Sequence, residues 1–239
     1  MDLSFTTYGY RVYYLPVVCI SILPIKKHFE RIVLTLDDDE SKIKIFFSKS
    51  VLRLFFGKKA RILIGASMGP HSKYFYYIDE LWNNNNFILI DDDCFYTNPF
   101  WRFVKYCKFR SPEQIIAKRT LVVPRESSLD YSKFYPNQLN KTQNSLFVTN
   151  VGGAYYTKNF GAILKRNLGK HIGLCDKADD VWFFYLQIKN NIIPQQYKNF
   201  YNPLSLPGSQ KKALYKLNTV KDYNSRQLRK TFNEDPVST

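Results

Sequence analysis

Short apolar segments alternate with segments of helical periodicity through the first hundred residues of the chain. Four of the apolar segments are predicted strands by length and composition: 12–22, 42–47, 61–64 and 87–90. Apolar residues at helical spacing occupy 25–36, 52–56 and 70–85. Because strands that alternate with helices are typical of crossover-connected sheets, this order predicts an α/β fold with a mostly parallel sheet flanked by helices.

The second half of the chain also contains both predicted strands and predicted helices. It predicts a helix over 98–107, strands over 115–123 and 147–151, a polar loop over 124–145, and helices over 155–168 and 178–190. No linker divides the 239 residues and no internal repeat recurs, so we expect a single domain, 1–239.

Composition excludes several classes of protein. Hydrophobic residues make up 45% of the chain and aromatic residues 17%, which excludes a disordered protein. No apolar run reaches the roughly 18–20 residues that a membrane-spanning helix needs, and the N-terminal segment lacks the pattern of a secretion signal. The cysteines are widely spaced without a CxxC pair, which indicates reduced thiols in a cytoplasmic protein: Cys19, Cys94, Cys107 and Cys175.

The net charge of +15 indicates an anionic partner. Much of the excess lies in residues 205–232, where Asp222 alone opposes seven basic residues: Lys211, Lys212, Lys216, Lys221, Arg226, Arg229 and Lys230. Two interpretations stay open for this basic segment. It is either a solvated tail or a surface that contacts anionic lipid or phosphate groups.

Two acidic triplets differ in their surroundings. Asp37–Asp39 lies in a polar stretch between a predicted helix and a predicted strand, which indicates a solvated turn. Asp91–Asp93 ends the apolar strand of FILIDDD, and ligands of open α/β sheets bind at the carboxyl ends of strands. Clustered carboxylates are costly unless a cation neutralises them, so Asp91 and Asp93 are candidate ligands of Mn²⁺ or Mg²⁺. Pairing of these acids with surface lysines is the alternative.

Four segments together resemble a known family. FILIDDDCFYTNPFW resembles the "I-x-DDD-x-x-Y-P" segment of small bacterial surface-polysaccharide glycosyltransferases, which have the GT-A fold. GPHSKYFYYIDEL (Gly69–Leu81) is similar to their "GP-x-x-K" segment, and FVTNVGGAYY (Phe147–Tyr156) to "GxGG-x-x-Y". LCDKADDVWFFYLQIKN (Leu174–Asn190) resembles "P-x-ADD-x-W". The segments occur in family order over residues 60–195.

The resemblance implies a donor site around the second acidic triplet. Asp93, with Asp91, would hold the divalent cation against the donor diphosphate, and Asp91 alternatively contacts the donor ribose. Asp92 is assigned to the substrate, and Lys73 stands at the family lysine that reaches the donor phosphates. Lys26 or Lys27 falls near the family arginine.

The resemblance also implies an acceptor side. Gly152 and Gly153 would stand where the donor sugar and the acceptor meet, since glycine permits close backbone approach. A carboxylate must take the proton of the attacking hydroxyl, and we predict Asp180 as this general base, with Asp179 second. Trp182 either stacks on a sugar ring or belongs to the core.

These observations predict a metal-dependent, inverting glycosyltransferase that moves a sugar from a nucleotide-diphosphate donor to a surface polysaccharide or lipooligosaccharide acceptor. We expect residues 1–100 to bind the nucleotide sugar, 101–200 to bind the acceptor, and the basic segment 201–239 to contact an anionic membrane at its cytoplasmic face. A nucleotidyltransferase is the first alternative, but LPVVCISILPIKK has no glycine-rich phosphate loop. A nucleic-acid-binding protein is the second, and it leaves both acidic clusters unexplained.

Overall fold

The computed structural model describes residues 1–124, 129–138, 145–198, 201–209 and 222–234. Within these residues the chain forms an eight-stranded mixed sheet and a separate two-stranded ribbon. The strands are β1 (Asp2–Thr7), β2 (Ile32–Asp37), β3 (Ala60–Gly65), β4 (Phe87–Leu89), β5 (Cys94–Phe95), β6 (Ile116–Val123), β7 (Tyr135–Pro136), β8 (Ser145–Tyr156), β9 (Gln195–Gln196) and β10 (Leu204–Ser205). The α-helices are α1 (Leu15–Ile22), α2 (Lys42–Phe56), α3 (Ser72–Tyr76), α4 (Asn98–Arg110), α5 (Lys158–Arg166), α6 (Asp179–Lys189) and α7 (Tyr223–Glu234).

The sheet has the order β3-β2-β1-β4-β8-β6-β7, with β9 beside β6. Strands β3, β2, β1 and β4 run parallel to one another, β9 runs parallel to β6, and β8 pairs antiparallel with both β4 and β6. Ribbon β5–β10 is antiparallel. The predicted α/β class with a mixed, mostly parallel sheet is confirmed.

Helices cover both faces of the sheet, each over its own apolar core. Helices α1, α2 and α4 pack on one face, where Leu3, Leu34 and Phe103 are fully buried. Helices α3, α5, α6 and α7 cover the other face, with Phe87 and Trp182 in its core. Because both faces are covered, β2 (IVLTLD) and β4 (FIL) read as nearly continuous apolar segments, whereas β1 (DLSFTT) alternates apolar and polar residues although it is almost entirely buried.

The predicted elements are wrong in the first third of the chain. Residues 12–22 are helical rather than a strand, and Pro16 lies in the first turn of α1, where its missing N–H costs nothing. The first strand is β1, in an N-terminal segment for which the sequence predicts no element. Residues 25–36 form a short 3₁₀-helix (Leu23–His28) followed by β2 rather than one helix. Residues 42–47 begin α2, because Ser41 caps that helix through its side chain.

Later predictions agree better with the structure. Segments 61–64, 87–90 and 115–123 correspond to β3, β4 and β6, and 52–56 to the end of α2. Segment 98–107 lies within α4, segments 155–168 and 178–190 contain α5 and α6, and 70–85 contains α3 and a π-helical turn, Tyr77–Leu81. The loop 124–145 includes a short helical turn and β7, and part of it lies outside the described residues. Among the residues that the structure describes, no helix is long and apolar enough to cross a membrane.

Candidate active site

A cleft of about 1050 Å³ opens where parallel strands β1, β2 and β4 end. Strand order reverses there, because β2 and β4 leave β1 on opposite sides. The parts of the chain that line the cleft include the turn after β1, the end of β2, the turn after β4, the middle of β8 and the start of α6. Both acidic segments singled out by the sequence, Asp91–Asp93 and Asp179–Asp180, line this cleft, as does Lys73.

The buried side chain of Tyr96 holds the backbone of the turn after β4 through two hydrogen bonds. The Tyr96 hydroxyl donates to the carbonyl oxygen of Asp91 at 2.9 Å and accepts from its N–H at 3.0 Å. The Asp93 carbonyl accepts from the N–H of Leu206 at 2.8 Å, which ties the turn to ribbon β5–β10. These bonds fix the backbone, so the carboxylates of Asp91 and Asp93 point from a rigid support.

Arg11 neutralises two of the three acids in this turn. Its guanidinium lies 2.9 Å from Asp92 Oδ1 and 3.1 Å from Asp93 Oδ2. Burial raises the pKa of Asp92 to about 6, and Arg11 opposes that shift. The sequence analysis missed Arg11, because the strand that precedes it was not recognised. Lys26 and Lys27, predicted for the arginine position, are exposed in the 3₁₀-helix Leu23–His28 and do not line the cleft.

Lys73 joins the two acidic segments. Its Nζ lies 2.7 Å from Asp91 Oδ1 and 3.1 Å from Asp179 Oδ2, although the residue is only 5% exposed. Burial alone would lower the pKa of Lys73, but Asp179 and Asp91 outweigh it and raise the pKa above the usual value. Ser4 donates to the Lys73 carbonyl at 2.6 Å, so β1 positions the start of α3. The lysine therefore stays charged between the two carboxylates.

Asn150 holds the aspartate pair at the start of α6. Its side-chain amide donates to Asp179 Oδ2 at 2.8 Å and to Asp180 Oδ1 at 2.9 Å, and its backbone N–H donates to Asp180 Oδ1 at 3.1 Å. Tyr156 in turn donates to Asn150 Oδ1 at 2.8 Å, which fixes the amide orientation. Sequence reasoning did not single out Asn150, because its role depends on β8 lying beside α6.

The two aspartates differ in their surroundings. Asp179 is 5% exposed and ion-paired with Lys73, whereas Asp180 is partly exposed to the cleft. Burial, followed by repulsion from Asp179, raises the pKa of Asp180 well above the usual aspartate value. Burial also raises the pKa of Asp179, with Lys73 opposing. Asp180 is therefore the carboxylate better placed to take up a proton from a molecule in the cleft.

The predicted glycines and tryptophan pack beside the cleft rather than line it. Strand β8 runs through Gly152 and Gly153 with positive φ angles of 82° and 99°. A Cβ at Gly153 would lie 2.5 Å from Phe100 Cε2, so this glycine permits α4 to approach the sheet. Trp182 is 1% exposed and stacks on Tyr185, which supports the core interpretation over stacking on a sugar.

The first acidic triplet is only partly a solvated turn. Asp38 and Asp39 are exposed as predicted, but Asp37 is half-buried at the end of β2 and lines the cleft. Burial raises the pKa of Asp37. Neither histidine near α3 lines the cleft: His71 and His171 are buried and their rings stack 3.9 Å apart. Burial lowers the pKa of each to about 3.

The carboxylates of the turn after β4 suit a hard divalent cation. In the described ranges, no group of three or more histidine, cysteine, aspartate or glutamate side chains could hold a metal ion. Mg²⁺, however, is usually bound by one or two carboxylates, with substrate phosphates and waters as the remaining ligands. Asp91 and Asp93 both line the cleft and fit that pattern in ligand type and number.

Comparisons with known proteins identify relatives of the fold. No protein-family model matches the chain, and no curated protein matches it. A solved 4-diphosphocytidyl-2C-methyl-D-erythritol synthase from Anaerococcus prevotii aligns with a TM-score of 0.59 and 14% identity, over 92% of this chain and 97% of that chain. Residues 1–349 of S. aureus TarS align with a TM-score of 0.52 and 12% identity, over 98% of this chain and 72% of that chain.

A second 4-diphosphocytidyl-2C-methyl-D-erythritol synthase aligns with a TM-score of 0.51 and 12% identity, over 92% of this chain and 98% of that chain. At such identities the likeness concerns the fold alone. The fold is a Rossmann-like α/β sheet of the GT-A type, which the chain shares with these solved structures.

Proposed function

We propose that this protein is a metal-dependent glycosyltransferase that uses a nucleotide-diphosphate sugar as donor. The observation that carries the proposal is that the acidic turn Asp91–Asp93 and the pair Asp179–Asp180 line one cleft and are joined by Lys73. Sugar transfer needs cations beside the leaving diphosphate and a carboxylate that accepts the hydroxyl proton. One cleft of this protein contains both.

In the proposed reaction, Asp180 accepts the proton of an acceptor hydroxyl while that oxygen bonds to the anomeric carbon. The bond from this carbon to the donor phosphate oxygen breaks, and its electron pair leaves with the nucleoside diphosphate. Attack from the side opposite the leaving group inverts the anomeric configuration. Lys73 and Arg11, which lie beside the acidic turn, stabilise the departing negative charge. Asn150 keeps Asp180 oriented throughout.

Asp93, with Asp91, would hold Mn²⁺ or Mg²⁺ when the donor diphosphate supplies further oxygen ligands. The ion would act as a Lewis acid toward the diphosphate oxygens. Asp92 is buried against Arg11, which also contacts Asp93, so we assign Asp92 to positioning that arginine toward the donor.

The acceptor is proposed as a surface polysaccharide or lipooligosaccharide, on the strength of the four sequence segments. With such an acceptor the protein would work at the cytoplasmic face of the membrane. In the basic C-terminal segment, Lys211, Lys212, Lys216 and Lys221 lie outside the described residues. On α7, Arg229 pairs with Asp222 at 3.0 Å. Membrane contact through this segment stays a prediction.

Nucleotidyl transfer is the rival reaction on this fold, since two of the structural neighbours are 4-diphosphocytidyl-2C-methyl-D-erythritol synthases. The loop that follows the observed first strand is Tyr8–Tyr14, and it contains one glycine, Gly9. This loop is not the glycine-rich phosphate cradle that a nucleotidyltransferase would need. The aspartate pair Asp179–Asp180 favours sugar transfer.

The leaving group distinguishes the two reactions. The protein is incubated with Mn²⁺ and either a panel of sugar nucleotides or the nucleoside triphosphates, and the products are separated by ion-exchange chromatography. We expect slow release of nucleoside diphosphate from one sugar nucleotide, with Asp93→Asn reducing that release. Release of pyrophosphate from a triphosphate, without diphosphate release from any sugar nucleotide, would replace sugar transfer with nucleotidyl transfer.

A further inference from the structure

Two neighbouring helices expose apolar side chains on one face of the molecule, which we call the α1–α2 face. On α2, Ile43, Phe46 and Leu54 are 79%, 73% and 81% exposed. Their spacing of three and eight residues places them along one side of the helix, opposite the buried Ser48, Val51 and Leu52. A contiguous exposed patch of large apolar residues is typical of a surface that binds a partner or a membrane.

The preceding segment extends this stripe. Tyr13, Val17 and Ile20 are exposed at a spacing of four and three residues, on the 3₁₀-helix Gly9–Tyr14 and on α1. The Tyr13 and Phe47 rings lie 6.0 Å apart, which joins the two stripes into one surface. The apolar area is therefore continuous across both helices.

Basic residues border this surface, and acids are absent from both helices. Helix α2 has the sequence KIKIFFSKSVLRLFF, with three lysines and one arginine, and α1 has the uncharged sequence LPVVCISI. Lys42, Lys49 and Arg53 are spaced by seven and four residues, so they lie along one edge of the apolar stripe. Lys58 follows directly at the end of α2 and is also exposed.

The exposed apolar side chains and their basic border together indicate which kind of partner the α1–α2 face can bind. An amphipathic helix with a basic border is suited to the interface of a bilayer, where apolar side chains enter the acyl boundary and the basic residues meet anionic headgroups. A second copy of the chain would bring the same basic border against itself, and like charges would oppose the contact. We propose that the α1–α2 face binds the surface of a bilayer containing anionic phospholipid.

The position of this face gives the binding a consequence for the cleft. Tyr8 and Arg11 line the cleft and lie just before and within the 3₁₀-helix Gly9–Tyr14 that leads into α1, and Asp37 lines it five residues before α2. A bilayer on the α1–α2 face would therefore lie beside one wall of the cleft. The proposal itself concerns lipid binding and does not depend on which reaction the cleft performs.

Co-sedimentation with vesicles tests the proposal. Vesicles of equal parts phosphatidylcholine and phosphatidylglycerol are compared with pure phosphatidylcholine vesicles at low ionic strength, with the full chain as the sample. We expect binding to the anionic vesicles only. Phe46→Ser with Leu54→Ser should weaken that binding by about 10- to 100-fold, since each side chain loses its apolar burial. The matched control, Ile172→Ser with Ile193→Ser, removes two exposed apolar residues elsewhere and should leave it unchanged.

Charge is tested by a matched pair of triple variants. Lys42→Gln, Arg53→Gln and Lys58→Gln together should weaken binding by about 100-fold, at about fivefold for each charge. Arg226→Gln, Arg229→Gln and Lys230→Gln remove the same charge from α7 and should weaken binding less than the α2 variant does. No vesicle binding by the wild type, or a larger loss in the α7 variant, would overturn the proposal. So would self-association in sedimentation velocity that the Phe46 and Leu54 replacements abolish while vesicle binding persists.

Discussion

Replacing Arg11 by glutamine should destabilise the protein in a pH-dependent way. The change leaves Asp92, which is 4% exposed, without the guanidinium 2.9 Å away. Removing one partner of a buried ion pair typically costs about 3–5 kcal/mol. Asp92 limits that loss by taking up a proton. With Arg11 present the pKa of Asp92 is about 6, so holding a proton on this carboxyl costs the folded protein about 1.4 kcal/mol at pH 7 and almost nothing at pH 5, at about 1.36 kcal/mol per pH unit.

The loss of unfolding free energy in Arg11→Gln should therefore approach about 1.4 kcal/mol at pH 7 and nearly vanish at pH 5. At pH 7 this corresponds to a melting temperature lower by about 3–6 °C for a domain of this size. Urea unfolding followed by circular dichroism at the two pH values measures both numbers. Adding Asp92→Asn should restore most of the loss, because the buried charge is gone. A pH-independent loss, or a double variant less stable than Arg11→Gln, would refute the reasoning.

Three further predictions concern the surroundings of the cleft. Asn150→Ala should lower diphosphate release by about 100-fold through misplacement of Asp180, with donor affinity by calorimetry unchanged; a loss of affinity alone would contradict the positioning role. His71 and His171 have pKa values lowered to about 3 by burial, so their protonation favours unfolding. The unfolding free energy should lose about 4 kcal/mol from this pair between pH 7 and pH 5, and His171→Gln should roughly halve that loss in urea titrations. Gly153→Ala should cost about 2–5 kcal/mol, because its Cβ would meet Phe100 at a positive φ; an unchanged melting temperature would contradict that packing.

The site residues could be predicted where they lie at the end of a strand or the start of a helix that the sequence itself marks. Strand β4 is short and apolar, and Ile90 and the three aspartates follow it. The end of this strand could therefore be predicted from the sequence alone. The same holds for α6, which begins at Asp179, since acids are favoured at a helix N-terminus. Both predictions depended on one element boundary each, and both acidic segments line the predicted edge of the sheet.

The first third of the chain was not predictable by the same means. A short apolar segment such as LPVVCISI has no periodicity that separates a buried strand from a buried helix, and here it is α1. Helix α2 carries apolar residues on its exposed face as well, so its alternating start resembles a strand. Arg11 was not predicted as a consequence, because its contact with Asp92, 81 residues away in the chain, depends on the pairing of β1 with β4.

The contacts that Lys73 and Asn150 make in the cleft could not be predicted from the sequence either. Lys73 was predicted to reach donor phosphates, and its position between Asp91 and Asp179 keeps it in the cleft, but no pattern indicates that bridge. Asn150 lies in a strand and reads as an ordinary polar residue. Pairings of this kind arise from strand order and helix placement, which are properties of the whole sheet.

In the proposed reaction, Asp180 takes the proton of the attacking hydroxyl in a cleft that binds a nucleotide sugar. The most direct measurement compares wild type and Asp180→Asn with Mn²⁺ and the sugar nucleotide that the wild type uses, recording donor affinity by calorimetry and the rate of diphosphate release. We predict a dissociation constant within about twofold of wild type and a release rate lower by about 10²- to 10⁴-fold. Release at the wild-type rate by Asp180→Asn would contradict the account.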